Sequence, residues 1–187
     1  VNKYVNLPMS VFADEMAKRK IPSPAAGSSL AASLMMAISL LELTVSEQAE
    51  KKGETYRRDP SQDLKRLQRW REEGKVLVDK DIQAVEEMVR RGSSVGAERL
   101  LAPVRRLHEL AREILKWIPD YLTVSGAKVS DTLIAALHLR TVLIGSWHIA
   151  GFNAKSFGWD PPLPFDWETE LERTDSILQM VYSSVQD

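Results

Sequence analysis

Residues 21–45 read IPSPAAGSSLAASLMMAISLLELTV, a proline-punctuated turn that runs into a long apolar stretch. Pro22 and Pro24 fix their own φ and push the residues before them towards extended backbone. Gly27 permits conformations closed to residues that carry a Cβ. Ser28 or Ser29 can cap the helix that follows, its hydroxyl accepting from a free backbone N–H. Between 30 and 45 only Ser33, Ser39, Glu42 and Thr44 are polar. A helix that is apolar nearly all round is buried on most sides, so this stretch is expected at the centre of the fold. The run is shorter and more interrupted than the roughly 20 apolar residues of a membrane span, so no membrane partner is expected.

The flanking chain has helical periodicity throughout. A short amphipathic helix is expected over 10–20, with Val11, Phe12 and Met16 inward and Lys18, Arg19 and Lys20 at its C-terminal end. The central helix should continue to about Lys52, with Gly53 as its stop. Asp59, Pro60 and Gln62 form a helix start, with Asp at the cap and Pro at the first helical position. Leu64, Leu67, Val78, Ile82, Val85 and Val89 mark the inner face of this third helix, which ends near Gly92 and is weakened or bent at Gly74. Ser93 or Ser94 restarts the chain. The next helical face holds Leu100, Leu101, Leu107, Leu110, Ile114, Leu115 and Ile118, with a kink or break expected at Pro103 and closure by Pro119 and Gly126.

Ser130-Asp131 is expected to cap a further helix reaching about Phe152, with Ile134, Leu137, Val142 and Ile144 on its apolar face. Ala135, Ala136, Gly145, Ser146, Ala150 and Gly151 are interspersed. Such small residues let another helix approach closely, inside the domain or across a dimer. A Pro- and aromatic-rich loop over 157–165 precedes Asp166, the expected cap of a last helix carrying Leu171, Ile177, Leu178 and Val181. No repeat and no strand pair is evident. The expected fold is all-α, a largely up-and-down multi-helix bundle with a central buried apolar helix, in one domain spanning 1–187.

Composition narrows the function classes. With 187 residues the chain can bury a sizeable core. Its 25 basic and 26 acidic residues leave a net charge of −1, which gives no general attraction to nucleic acid or an anionic membrane. The absence of Cys excludes disulfides and thiolate chemistry and suits a cytoplasmic protein; no signal peptide is expected at the polar N-terminus.

Several residue groups could carry chemistry. The turn with Gly27 and Ser28 precedes a helix N-terminus, whose free N–H groups suit a carboxylate or phosphate; the plain alternative is a tight turn with a serine cap. Asp79 and Asp81 lie two apart on a helix and point in different directions. Asp81 is the better candidate for an inward acid/base group, the alternative being that both are solvated. Ser130 and Asp131 could cap a helix, contact a ligand, or both. His138 and His148 are ten residues apart, nearly three turns, and cannot share a metal ion. No Glu-x-x-His motif is present and no metal is expected. His148 is a reserve acid/base, or simply a packed histidine.

The same segments resemble the cyclodeaminase/cyclohydrolase family of folate enzymes. Its opening pattern is Pro-Thr-Pro, a run of glycines, a serine, and an Ala/Leu-rich helix with Met and a closing Leu-Thr. Here Pro22-Ser23-Pro24, Gly27-Ser28, Ala31-Ala32, Met35-Met36 and Leu43-Thr44 fit, while Ala25-Ala26 stand where the family has glycine. The segment around Asp79 and Asp81 resembles the family's Asp-x-Asp segment, without the Leu-Pro-Lys-like stretch that follows it. Ser130-Asp131 resembles the Ser-Asp that opens a late helix, whose run ends here at Asn153. The resemblance implies a helical homodimer that takes a tetrahydrofolate derivative as substrate and needs no metal. It implies formiminotetrahydrofolate cyclodeaminase or methenyltetrahydrofolate cyclohydrolase activity, with Asp81, Asp131 and His148 as catalytic candidates. Pro24, Gly27, Ser28, Ser130 and Asn153 become substrate-binding candidates, and Lys51-Lys52 could meet anionic glutamate tails. The rival is a catalytically inactive relative serving as a ligand-binding or protein-interaction module. An active site requires the turn, Asp81 and the Ser130-Asp131 segment to converge.

Overall fold

A computed structural model describes residues 3–51, 57–92, 96–159 and 167–186. Its elements are α1 (Met9–Met16), α2 (Ala26–Glu50), α3 (Pro60–Arg91), α4 (Ala97–Leu115), α5 (Ile118–Leu122), a 3₁₀ turn (Gly126–Lys128), α6 (Val129–Phe157) and α7 (Trp167–Gln186). Among the described residues there is no strand. Gly53, Ser93, Ser94 and Asp166, expected as helix stops and starts, lie outside the described residues, as do Lys52 and residues 160–165 of the aromatic loop.

Cross-helix contacts fix the directions. Gly27 meets Asp81 and Met35 meets Gly74, so α3 runs antiparallel to α2. Leu30 meets Gly145 and the Thr44 hydroxyl lies 3.1 Å from that of Thr132, so α6 is antiparallel to α2 on its other side. Arg106 pairs with Glu73 and Arg99 with Glu87, which sets α4 antiparallel to α3. The result is the expected up-and-down bundle, with α2 between α3 and α6. Leu34, Ala37, Ile38, Leu41 and Val45 of α2 have no exposed surface.

α2 is nevertheless not covered all round. Met36 is 37% and Leu43 45% exposed, with Ser39 on the same stripe. The eight-residue α1 covers only part of this face, through Met9. By length and composition α2 and the segment Gly126–Phe157 are each sufficient to cross a bilayer. In α2, half of the most apolar window is buried inside the bundle.

Other expected faces shift. α1 spans less than residues 10–20 and buries Phe12, while Val11 and Met16 face solvent. In α3 the inner stripe is Leu77, Asp81, Ala84 and Met88, flanked by Val78 and Ile82. Val85 and Val89 are exposed, because turning Asp81 inward rotates the buried face by one residue. In α6, Ile134 is exposed and the small residues Ala135 and Ala136 are fully buried. There they allow α2 to approach closely, and Gly145 accommodates the Leu30 side chain.

Helix ends also differ. The Asp59 carboxylate accepts from Ser61 and Gln62 N–H at 3.0 and 3.1 Å, as its position implies. α4 runs through Pro103 without a break, and α6 continues to Phe157 rather than Phe152. Pro119 lies in the first turn of α5 rather than ending a helix.

Truncating Leu41 to Ala removes fully buried contacts of α2 and should destabilise the fold by about 2–5 kcal/mol in urea unfolding. Val89→Ala, on the solvent-facing side of α3 at 61% exposure, should cost less than about 1 kcal/mol. Equal losses at the two positions would contradict the burial pattern.

Candidate functional site

The N-terminus of α2 is built in an unusual way. Its cap position is Ala25, in extended backbone with φ −145°, not Ser28 or Ser29. Alanine offers no side-chain oxygen to the free N–H groups of the first turn. Ser28 lies in that turn; its Oγ accepts from Ala25 N–H at 2.7 Å and donates to Ala25 O at 2.9 Å. The missing acceptor comes from α3, where the Asp81 carboxylate accepts from the backbone N–H of Ser28. It fits because residue 27 is glycine. A Cβ there would lie 2.1 Å from Asp81 Oδ1, 2.5 Å from Cγ and 2.7 Å from Oδ2.

Asp81 is 7% exposed, and no Lys, Arg or His among the described residues forms an ion pair with it. Burial raises its pKa from 3.8 to about 6, against the opposing pull of the Ser28 N–H. At neutral pH the group is mainly a carboxylate with its protonated form close in energy.

Asp79, expected to point elsewhere, is buried too. Its carboxylate accepts from the backbone N–H groups of Lys3, Tyr4 and Val5 at 3.0, 2.9 and 3.4 Å. Tyr4 in turn donates its hydroxyl to Pro22 O at 3.2 Å. The pair of aspartates therefore divides its work: Asp79 ties the N-terminal segment beside the turn, and Asp81 ties α3 to the start of α2. Neither is a solvated surface acid, because both lie where antiparallel α3 passes the turn.

Pro24 is buried in the turn, and Pro24, Gly27, Ser28 and Asp81 are together. His148 lies three residues beyond Gly145 on α6 and so reaches the level of Gly27, which lies three before Leu30. It is exposed, its ring edge-on to Trp147 with centroids 5.5 Å apart. Asn153, partly buried, is further along the same end. Ser130 and Asp131 are at the other end. They sit in the first turn of α6, whose cap position is Lys128, beside Thr132 and its partners Thr44 and Ser125. At about 1.5 Å per residue, roughly 25 Å of helix separates Asp131 from His148. Within one chain the three family-like segments do not all meet.

Ala25 and Ala26 are exposed, and no non-glycine residue described has positive φ. The two extra methyl groups therefore neither fill the space at Gly27 nor strain the turn. His108, absent from the sequence candidates, is fully buried between α4 and α6, with Nδ1 3.2 Å from Ser146 Oγ. Burial lowers its pKa. Its signal was its place in the buried series Leu101, Val104, His108 and Ala111. Among the described residues no group of three His, Asp or Glu is placed to hold a metal ion.

An antiparallel helical bundle with a buried carboxylate seated on the first turn of its central helix is the class of structure defined here. No protein-family model matches the chain, and no curated protein matches it in sequence. Among solved structures it is similar to formiminotetrahydrofolate cyclodeaminase from Thermotoga maritima, at 21% identity and a TM-score of 0.68. The match covers 98% of this chain and 92% of that one, so the fold is shared over nearly its whole length.

Because the folded chain holds the Asp81 proton more tightly than the unfolded chain does, its stabilising contribution is full below about pH 4 and is lost as pH rises through 6. Asp81→Asn should therefore stabilise the protein at pH 8 by up to roughly 3 kcal/mol, with the difference vanishing near pH 4. Urea midpoints across that range check this; a constant difference contradicts it. Gly27→Ala should destabilise by about 1–3 kcal/mol, and by much less when Asp81 is also Ala. An additive double-mutant cycle would contradict the contact.

Proposed function

We propose that the chain is a folate-dependent one-carbon enzyme, a cyclodeaminase or cyclohydrolase, in which Asp81 moves the proton and a tetrahydrofolate derivative is the substrate. The observation that carries this reading is the Asp81 carboxylate, buried without a cation and seated against Gly27 and the Ser28 N–H. Its pKa near 6 suits a group that must accept a proton and return it at neutral pH. The fold shared with a formiminotetrahydrofolate cyclodeaminase supports the substrate class.

In cyclodeamination, N10 attacks the formimino carbon, its proton passes to the base, and ammonia leaves as the protonated base gives the proton to the departing nitrogen. In cyclohydrolysis, water adds to the methenyl carbon and loses a proton to the base, and the ring C–N bond then breaks with reprotonation of nitrogen. Both pass through a tetrahedral centre flanked by proton transfers, and Asp81 is the group assigned to them. Pro24, Gly27, Ser28 and Asn153 would border the substrate, the first turn of α2 favouring its polar or anionic edge. His148 is the second acid/base candidate at this end.

The reading includes a cytoplasmic homodimer of single-domain chains. The uncovered stripe of Met36, Ser39 and Leu43, beside exposed Ile134 of α6, carries no charge and suits a second copy. A two-fold axis normal to α2 sets the start of one α2 beside the end of its mate and the start of that subunit's α6. Ser130 and Asp131 would then complete the Asp81 end across the dimer.

A second reading, a non-catalytic relative that binds a ligand or protein, is favoured by the same cap: Asp81 already has a structural partner in the Ser28 N–H and fills the gap at Gly27.

Absorbance of methenyltetrahydrofolate follows either reaction. Asp81→Asn should lower turnover at least about 100-fold while raising stability at pH 8. Folate binding without turnover of either substrate would favour the module, and absence of folate binding would remove the enzyme reading and leave only a module for another ligand or a protein. Leu43→Glu should give a monomer by light scattering and abolish activity. Mixing inactive Asp81→Asn and Asp131→Ala dimers should restore about a quarter of wild-type activity, since half the dimers mix and each mixed dimer has one intact site. No recovery after verified exchange would overturn the shared site.

A further inference from the structure

A groove of about 460 Å³ lies between α3 and α4, and Asp81 is not in its walls. Its volume falls in the range of small-molecule sites, about 300–1,000 Å³. Leu77, Ala84 and Pro103 give it an apolar floor. Pro103 has no N–H, so the Arg99 carbonyl one turn back lacks its helical donor. The groove's arginines are neutralised. Arg106 grips Glu73 with two nitrogens at 2.6 and 3.0 Å, and Arg99 bonds Glu87 at 2.7 Å. Lys80 is different: it is exposed on the groove wall and makes no ion pair or hydrogen bond among the described residues. Gln83, one turn away, is likewise without a bond among them.

We infer that this groove binds a small amphipathic monoanion, a carboxylate or sulfonate on a compact apolar body. The body lies on Leu77, Ala84 and Pro103, the anionic group pairs with Lys80, and the Gln83 amide supplies a further hydrogen bond. The charge balance selects this class. Arg106 is shared between Glu73 and Glu109 and Arg99 is held by Glu87, so among the described residues Lys80 is the groove cation left without a carboxylate, and a single anionic charge pairs it. A phosphate dianion adds repulsion from Glu73 and Glu87, and a neutral apolar molecule makes no use of Lys80. The groove borders the stretch of α3 that carries Asp81 but does not include that residue, and its binding does not depend on the folate reading.

The probes are 1-naphthalenesulfonate and its neutral counterpart 1-naphthalenemethanol, titrated calorimetrically into the full chain. The sulfonate should bind at one site, at least about tenfold more tightly than the alcohol. Lys80→Glu should remove that preference and Lys80→Arg should keep it. Ala102→Trp, at the exposed rim of the groove, should weaken both probes. These positions are at the surface, and unchanged thermal melting verifies that each variant is folded. The inference is overturned if the sulfonate does not bind, if it binds no better than the alcohol, if Lys80→Glu leaves its affinity intact, or if folded Ala102→Trp binds as wild type.

Discussion

Asp81 reaches the first turn of α2 only because residue 27 has no Cβ; a methyl group there would stand 2.1 Å from its carboxylate oxygen. Much of the bundle follows from that contact. Ala25 cannot cap α2, so the helix takes its acceptor from α3. This locks α3 in rotation, with Leu77, Asp81, Ala84 and Met88 inward and Val85 and Val89 outward. It also locks α3 in translation, and Arg71 then meets Glu42 at 3.0 Å further along the pair. With α3 placed, Glu73 meets Arg106 and positions α4.

The sequence carries the fold through features that are local. The apolar run of α2 and the Asp59-Pro60 start each act within a few residues, and both have their expected structural effect. It does not carry which of two adjacent faces of α3 turns inward. Val78, Ile82, Val85 and Val89 form as regular a stripe as Leu77, Asp81, Ala84 and Met88, and hydrophobicity alone favours the valines. The choice is made by a tertiary contact, a carboxylate seeking unpaired N–H groups on another helix. The same limit applies to the caps: Ser28 and Ser130 have capping chemistry, but each lies inside its helix.

For the candidate site, Pro24, Gly27, Ser28 and Asp81 were legible because a glycine at a helix start and an acid at a helical position both have local signatures. Asp131 was legible as a residue but not as a location. In an antiparallel bundle the order of motifs along the chain does not say which end each occupies, and the Thr44–Thr132 contact puts the start of α6 beside the end of α2. His108 left only a weak trace, a polar residue in step with a buried apolar series.

Three buried aspartates show how differently such a group can be held. Asp63 bonds the guanidinium of Arg58, at 3.1 Å from Nη2, and the Tyr121 hydroxyl at 2.8 Å. Asp79 accepts from three successive backbone N–H groups. Asp81 has a backbone N–H and the positive end of a helix, with no cation. A buried carboxylate with that little compensation holds its proton more tightly in the fold than in the unfolded chain, so its ionised form works against the fold at neutral pH. Asparagine would provide the same acceptor to Ser28 without that penalty. The cap therefore explains an oxygen at this position but not an ionisable one. A group that can gain and lose a proton near neutrality is what the acid carries beyond its structural role, and this asymmetry separates Asp81 from the two aspartates whose partners account for them in full.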